Sequence, residues 1–108
     1  MANTFTSYAA KNVTTAASTL VTVAASTQTT IIGATICNTS AAAITASLYF
    51  TRSAVDYYIV NNATIPVGRT FVAVGGDQKV VLITGDALKV ISNTVTSADA
   101  IVSVLNIT

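Results

Sequence analysis

Residues 44–51 read ITASLYFT, and this stretch decides the fold class. Apolar and polar residues alternate over all eight positions, with Ile44, Ala46, Leu48 and Phe50 on one side. Successive side chains of a strand point to opposite faces, so this period of two is typical of a sheet that buries one face. A helix would scatter the same apolar residues around its axis. The stretch therefore predicts a β-strand.

Short segments rich in Val, Ile and Thr lie on both sides of this strand. These residues are stiff at χ1 and fit a pleated, half-buried surface better than a helix. Seven or eight short strands at this spacing predict an all-β fold, a single antiparallel β-sandwich of jelly-roll or immunoglobulin-like type. The further predicted strands are Leu20–Ala24, Thr30–Asn38, Val55–Val60, Thr70–Val74, Val80–Ile83, Ala87–Ser92 and Ala100–Ile107.

Groups rich in glycine and aspartate separate the predicted strands. Glycine accepts positive φ, and aspartate bonds its own nearby backbone, so both residues favour turns. Asp86 is one of only four acidic residues, but its Thr-Gly-Asp setting favours a turn over a chemical role. We interpret six residues as structural turn residues: Gly68, Gly75, Gly76, Asp77, Gly85 and Asp86.

The first 18 residues differ from the rest, because they contain few large apolar side chains. We describe residues 1–18 as an N-terminal arm and residues 19–108 as the β-sandwich domain. Termini are usually disordered unless they are tied down. We therefore expect the arm to be held against the domain or against a neighbouring subunit.

The composition restricts the class of partner. Hydrophobic residues make up 52% of the chain and charged residues only 8%, against a usual fraction of about 25% charged. The five basic residues form no run, so we expect no nucleic-acid partner. No apolar run approaches the roughly 18 residues that span a membrane, so we expect no membrane partner. A net charge of only +1 favours association with other proteins.

The chain is poor in the residue types that perform catalysis. It contains no His and no Glu, so a Ser-His-Asp or Cys-His arrangement cannot be built. One Cys and four scattered Asp are poor material for a zinc site. We therefore expect a protein that is not an enzyme and has no metal and no cofactor.

Four aromatic residues are candidates for a protein interface, because tyrosine and phenylalanine are enriched there. They are Phe5 and Tyr8 in the arm, and the neighbouring pair Tyr57 and Tyr58. Adjacent strand residues face opposite ways, so one tyrosine of the pair is expected to face outward. The alternative is that both rings lie at the margin of the core. Arg52 and Asp56 are expected to be solvated charges near a turn.

The order of these segments resembles small β-sandwich structural proteins encoded by tailed bacteriophages. The resemblance covers residues 28–107 and depends on an N-T-S turn, an I-P-x-G turn and a VL-x-x-GD-x-L-x-V hairpin. The corresponding stretches here are TTIIGATICNTSAAAITASLYF, YYIVNNATIPVGRTFVAV, KVVLITGDALKVIS and ADAIVSVLNIT. By this resemblance Gly85 and Asp86 shape a hairpin.

The resemblance implies a virion structural protein, made in the cytoplasm of the host bacterium. The preferred function is a capsid decoration (cement) protein that binds the outside of the shell and stabilises it. Its partners would be copies of itself, preferably in a trimer, and the major capsid protein. A neck, collar or tail component is the alternative within this class. A carbohydrate-binding β-sandwich module is the next alternative, although the chain has no Trp and few aromatic residues.

Overall fold

The computed structural model describes residues 3–75 and 79–108, and these residues form β-strands, turns and loops with no helix. Each predicted strand is present, with ends that differ by a few residues. The nine strands are β1 (Asn3–Val13), β2 (Ser18–Thr22), β3 (Gln28–Asn38), β4 (Ile44–Arg52), β5 (Val55–Ile65), β6 (Thr70–Val74), β7 (Val80–Leu82), β8 (Ala87–Ser92) and β9 (Ala98–Ile107).

The strands form two antiparallel sheets that pack face to face, which confirms the predicted β-sandwich. Sheet A has the order β1-β9-β3-β6, and β7 pairs with the same edge of β3 as β6 but further along the strand. Sheet B has the order β2-β8-β4-β5. All pairs are antiparallel.

The strand count is nine rather than seven or eight, because the segment described as an arm contributes β1. This strand pairs with β9 in one continuous register from Asn3 to Ala10, so the arm is held against its own domain. The inward residues Tyr8 and Ala10 are only partly buried against the core. Since no large aliphatic residue alternates along β1, the sequence pattern was too weak to predict a strand there.

The core lies between the sheets and is built by alternation along each strand. In β9, Ala98, Ala100, Val102 and Val104 are buried, whereas the residues between them face outward. In β4 the predicted inward residues Ile44, Ala46 and Leu48 are fully buried, whereas Phe50, predicted on the same side, is only partly buried against the core. The largest fully buried side chains also include Ile31, Ile36, Ile65, Leu82 and Leu88.

One end of the sandwich is organised by Asn38, the first residue of the N-T-S turn. Its amide nitrogen donates to the carbonyl oxygens of Ala42 and Ile65, each at 2.9 Å. Its amide oxygen accepts from the backbone N–H of Ser40 at 2.9 Å. A buried polar side chain costs free energy unless it is hydrogen-bonded, and here one amide joins the β3–β4 loop and the end of β5 to the end of β3.

Candidate interaction surface

The glycines predicted to shape turns fall into three groups. Gly68 has φ +71° and Gly85 has φ +91°, and this left-handed backbone is what the turn prediction required. Gly75 follows β6 without a left-handed φ, and a Cβ there would lie 2.9 Å from Cγ1 of Val72. Gly76 and Asp77 lie outside the described residues, so their predicted role in a turn stays a prediction.

Asp86 shapes the turn between β7 and β8, and its side chain also forms an ion pair. The hairpin that the resemblance implied here was wrong, because β7 pairs with β3 in sheet A and β8 pairs with β2 and β4 in sheet B, so this turn connects the two sheets. Its carboxylate is 1% exposed and accepts from the backbone N–H of Ile83 at 3.0 Å. It accepts as well from Nε of Arg52 at 2.8 Å and from Nη2 of Arg52 at 2.6 Å. The expectation that Arg52 is a solvated turn charge was therefore wrong, because two parallel hydrogen bonds hold its guanidinium against a buried carboxylate.

The charge states of Asp86 and Arg52 favour a structural role for the pair. The hydrogen bonds from Arg52 hold the pKa of Asp86 below its usual value of 3.8, although burial opposes this effect. The same contact raises the pKa of Arg52. A carboxylate stabilised in its charged form is a poor proton donor or acceptor near neutral pH. The pair is suited to holding the β4–β5 hairpin against the turn that connects β7 in sheet A to β8 in sheet B.

The four aromatic interface candidates do not come together. Phe5 is 74% exposed on the outer side of sheet A. Tyr8 is half-buried on the opposite side of the same strand, where it lines a groove of about 300 Å³ between β1 and β2. Tyr57 and Tyr58 lie on β5, at the far edge of sheet B. Only Phe5 belongs to the surface described below.

Tyr57 and Tyr58 are each about half exposed and each packs on an aromatic ring of β4. The rings of Tyr57 and Phe50 are stacked with centroids 5.4 Å apart, and those of Tyr58 and Tyr49 are 4.9 Å apart. Tyr49 is buried, and this burial, assisted by the Asp56 carboxylate, raises its pKa. Both tyrosines therefore cover neighbouring side chains, and one face of each ring stays open to solvent.

A contiguous uncharged surface lies on the outer side of sheet A. The pairing registers place eleven residues there in three cross-strand rows, which we call the uncharged face. The first row crosses four strands and the third does so as well, whereas the short second row crosses three. The rows are Phe5–Leu105–Thr30–Val81, Ser7–Ser103–Gly33 and Ala9–Ile101–Thr35–Val72.

The uncharged face exposes large apolar side chains on four different strands. Phe5 is 74% exposed, Val72 60%, and Val81 and Ile101 each 53%. The middle row contains only serine and glycine, so it forms a shallow trough between two apolar rows. Beyond the third row, Lys11 and Asp99 form an ion pair at 2.9 Å, and Lys79 lies just before β7, two residues from Val81. Exposing apolar surface to water costs free energy, so covering this face by a partner is favourable.

Sheet B offers a different outer surface, because charged residues interrupt it. Lys89 faces outward opposite Tyr49, and Asp56 accepts a hydrogen bond from Oγ1 of Thr51 at 2.7 Å. The two broad sides of the sandwich thus differ in charge. This difference cannot be seen in the sequence, because it depends on which strands the fold places side by side.

Among the described residues, the other grooves and polar groups of the sandwich do not form a second candidate site. A second groove, of about 420 Å³, is lined mainly by threonine and isoleucine at the end of the sandwich near Thr84. Within residues 3–75 and 79–108, no three His, Cys, Asp or Glu side chains lie close enough together to hold a metal ion. The same residues contain no helix that is long and apolar enough to cross a membrane.

Comparison with known proteins adds no relative: neither the protein-family models, nor the curated proteins, nor the solved structures contain a match to this chain. The geometry of the surface is therefore the basis for a functional proposal.

Proposed function

We propose that this protein is a non-enzymatic structural protein of a bacteriophage virion, and that it decorates the outside of the capsid shell. The observation that supports the proposal most directly is the uncharged face, which presents large apolar side chains from four strands to solvent. Its proposed partners are the major capsid protein beneath it and further copies of itself. The proposal of a virion and of the capsid shell as the binding partner is based on the resemblance of residues 28–107 to phage β-sandwich proteins.

The size of the uncharged face fits repeated weak binding. At about 4.8 Å between strands and about 3.3 Å per residue, it covers roughly 400 Å². Docking on an equal area would bury roughly 800 Å² in total, below the ~1,200 Å² at which specific stable interfaces begin. A single copy would bind weakly, whereas linked copies on a repeating shell would gain affinity through avidity.

The chemistry of the face fits the same function. Serine, threonine and backbone groups can exchange hydrogen bonds with a partner, and no ion has to be stripped of water when the face is covered. Its apolar rows lose contact with water in the same step. Such contacts depend little on ionic strength, which suits a shell that must stay intact outside the cell.

The proposal is tested by copy number in virions purified from the source, measured by quantitative mass spectrometry against the major shell protein. A simple ratio to the shell protein supports decoration. A few copies per particle would favour the alternative, a neck, collar or tail component. Complete absence from particles would overturn the virion proposal in both forms.

The surface itself is tested by a matched pair of variants. Ile101→Asp places a charge in the third row of the uncharged face, whereas Thr64→Asp places the same charge on exposed β5 in sheet B. We expect the first variant to be recovered poorly with particles and the second to be recovered like the parent protein. Equal recovery of both variants, with both folded, would contradict the role of the face.

A further inference from the structure

We propose that the free edge of β1, from Asn3 to Ala9, pairs antiparallel with the same edge of a second copy and forms a two-fold dimer. The inference goes beyond the proposed function, because it holds whatever the uncharged face binds. It concerns the backbone edge of sheet A rather than its outer side.

The first argument is that β1 is an unprotected edge. It pairs with β9 on one side and with no described strand on the other. Its register with β9 is unbroken from Asn3 to Ala10. The seven residues from Asn3 to Ala9 contain no charge, proline or glycine. A long, flat and uncharged edge of this kind is a template for another strand.

The second argument is that each other free edge has a device that discourages pairing. Strand β2 is five residues long and has a register shift, β6 is equally short and also shifted, and β7 has three residues. Strand β5 is as long as β1, but it carries Asp56, two register shifts and the left-handed residue Asn62. Short strands, bulges and charges are the usual ways of protecting an edge. In β1 such features, Lys11 and the left-handed Asn12, come only after the flat segment.

The third argument is that β1 is complementary to itself. The strand that pairs with its free edge is therefore proposed to be β1 of a second copy. A two-fold axis at Thr6 pairs Phe5 with Ser7 of the second copy and Tyr8 with Thr4. Each large ring then lies opposite a small hydroxyl side chain, where cross-strand pairs contact directly. No like charges meet, because Lys11 lies outside the seven paired residues. The pairing is isologous and satisfies both edges at once, so it closes at two copies rather than at the trimer that the resemblance implied.

Pairing at β1 would also join two uncharged faces. Strand β1 carries Phe5, Ser7 and Ala9 on the outer side of sheet A, so the rows of the two copies would continue across the new pair. The dimer would present roughly 800 Å², twice the area of one face, on one continuous sheet. This enlarged surface would reach the area range of specific interfaces when it is covered.

The experiment measures the mass of the full chain by light scattering after gel filtration, over a range of concentrations. We expect twice the chain mass of 11.0 kDa for the parent protein. Thr6→Lys should shift the mass to that of one chain, because two ammonium groups would meet at the axis. The control Ser103→Lys adds the same charge one strand further in, on the uncharged face, and should stay dimeric. Far-ultraviolet circular dichroism checks that both variants are folded.

A cross-linking experiment keeps the test decisive if Thr6→Lys fails to fold. In a Cys37→Ser background, Thr6→Cys should give a disulfide-linked dimer on oxidation, because directly opposite Cα atoms lie about 4.5–5.5 Å apart and suit a disulfide. The control Ser103→Cys in the same background should stay uncross-linked. A parent protein of single-chain or trimer mass would overturn the proposal. So would dimers that survive Thr6→Lys but dissociate with Ser103→Lys, since the face would then be the contact. None of these results depends on virion copy number.

Discussion

The guanidinium of Arg52 and the carboxylate of Asp86 join the β4–β5 hairpin to the turn between β7 and β8, although the two residues are 34 positions apart in the chain. Arg52 ends β4 and lies 5.1 Å from the ring centroid of Phe50, whereas Asp86 belongs to the turn between β7 and β8. The buried carboxylate has its hydrogen bonds from Arg52 and from the backbone of Ile83. This contact locks one end of sheet B to sheet A.

Removing this carboxylate should destabilise the fold. Asp86→Ala leaves the N–H of Ile83 and the Arg52 guanidinium without their acceptor, and we expect a loss of about 2–3 kcal/mol in the free energy of unfolding. The matched control is Asp99→Ala, which breaks the exposed pair with Lys11, where the expected loss is under about 1 kcal/mol. Urea unfolding of both variants measures the difference. Equal losses would contradict the structural role of Asp86.

The same contact predicts how stability depends on pH. The folded pKa of Asp86 lies below its usual value of 3.8, so the unfolded chain takes up this proton at higher pH than the folded chain does. The stabilisation is therefore complete above about pH 5 and is lost as the pH falls through the folded pKa. Asp99, whose pKa is lowered by the N–H of Asn12 and by Lys11, adds an effect of the same sign.

Unfolding measured between pH 7 and pH 2 should show a plateau followed by a decline below about pH 4. In Asp86→Asn the decline should be shallower, because this position no longer titrates. An identical acid decline in parent and variant would show that other carboxylates control it.

Gly85 should tolerate alanine poorly, whereas Gly33 should tolerate it well. Gly85 has φ +91°, which strains any residue with a Cβ, and we expect Gly85→Ala to cost about 1 kcal/mol or more. A Cβ on Gly33 would meet only the carbonyl oxygen of Val74 at 3.7 Å, an ordinary contact. Thermal unfolding of the two variants compares them directly. A larger loss at Gly33 would mean that the uncharged face is packed more tightly than described.

Strand β7 offers a matched test of which side faces the core. Leu82 is fully buried and its neighbour Val81 is 53% exposed on the uncharged face. Leu82→Ala should lower the free energy of unfolding by about 2–5 kcal/mol, because it leaves a cavity. Val81→Ala should change it by no more than about 0.5 kcal/mol. The reverse order would show that β7 is registered one residue away from the pairing with β3.

Much of the fold could be predicted from the sequence, because alternation such as that in ITASLYFT is a local property. The eight predicted strands are all present for this reason. Strand β1 was missed, because its inward side carries threonine, tyrosine and alanine and is only partly buried. The two sides of β1 differ little in hydrophobicity, so the strand is stabilised mainly by its backbone pairing with β9. Backbone pairing leaves no recognisable pattern in the sequence of the strand.

The candidate surface could be predicted less well. Val72, Val81 and Ile101 belong to three separate strands, and only the sheet order brings them together with Phe5. The aromatic criterion selected Phe5, which is exposed, and also Tyr8, which lines a groove; their role in an interface stays a prediction. Arg52 and Asp86 are paired across 34 residues, a distance over which composition and periodicity carry no information.

Of the nine strands, β9 is made last, and yet it lies between β1 and β3. Sheet B uses no residue after Ser92, so all of its strands are made before Ala98–Ile107. Until then β1 has no neighbour to pair with, and one of the two edges of β3 has no pairing strand. The sandwich therefore closes only when translation of these ten residues is complete, and the nascent chain must be kept from aggregating until that moment.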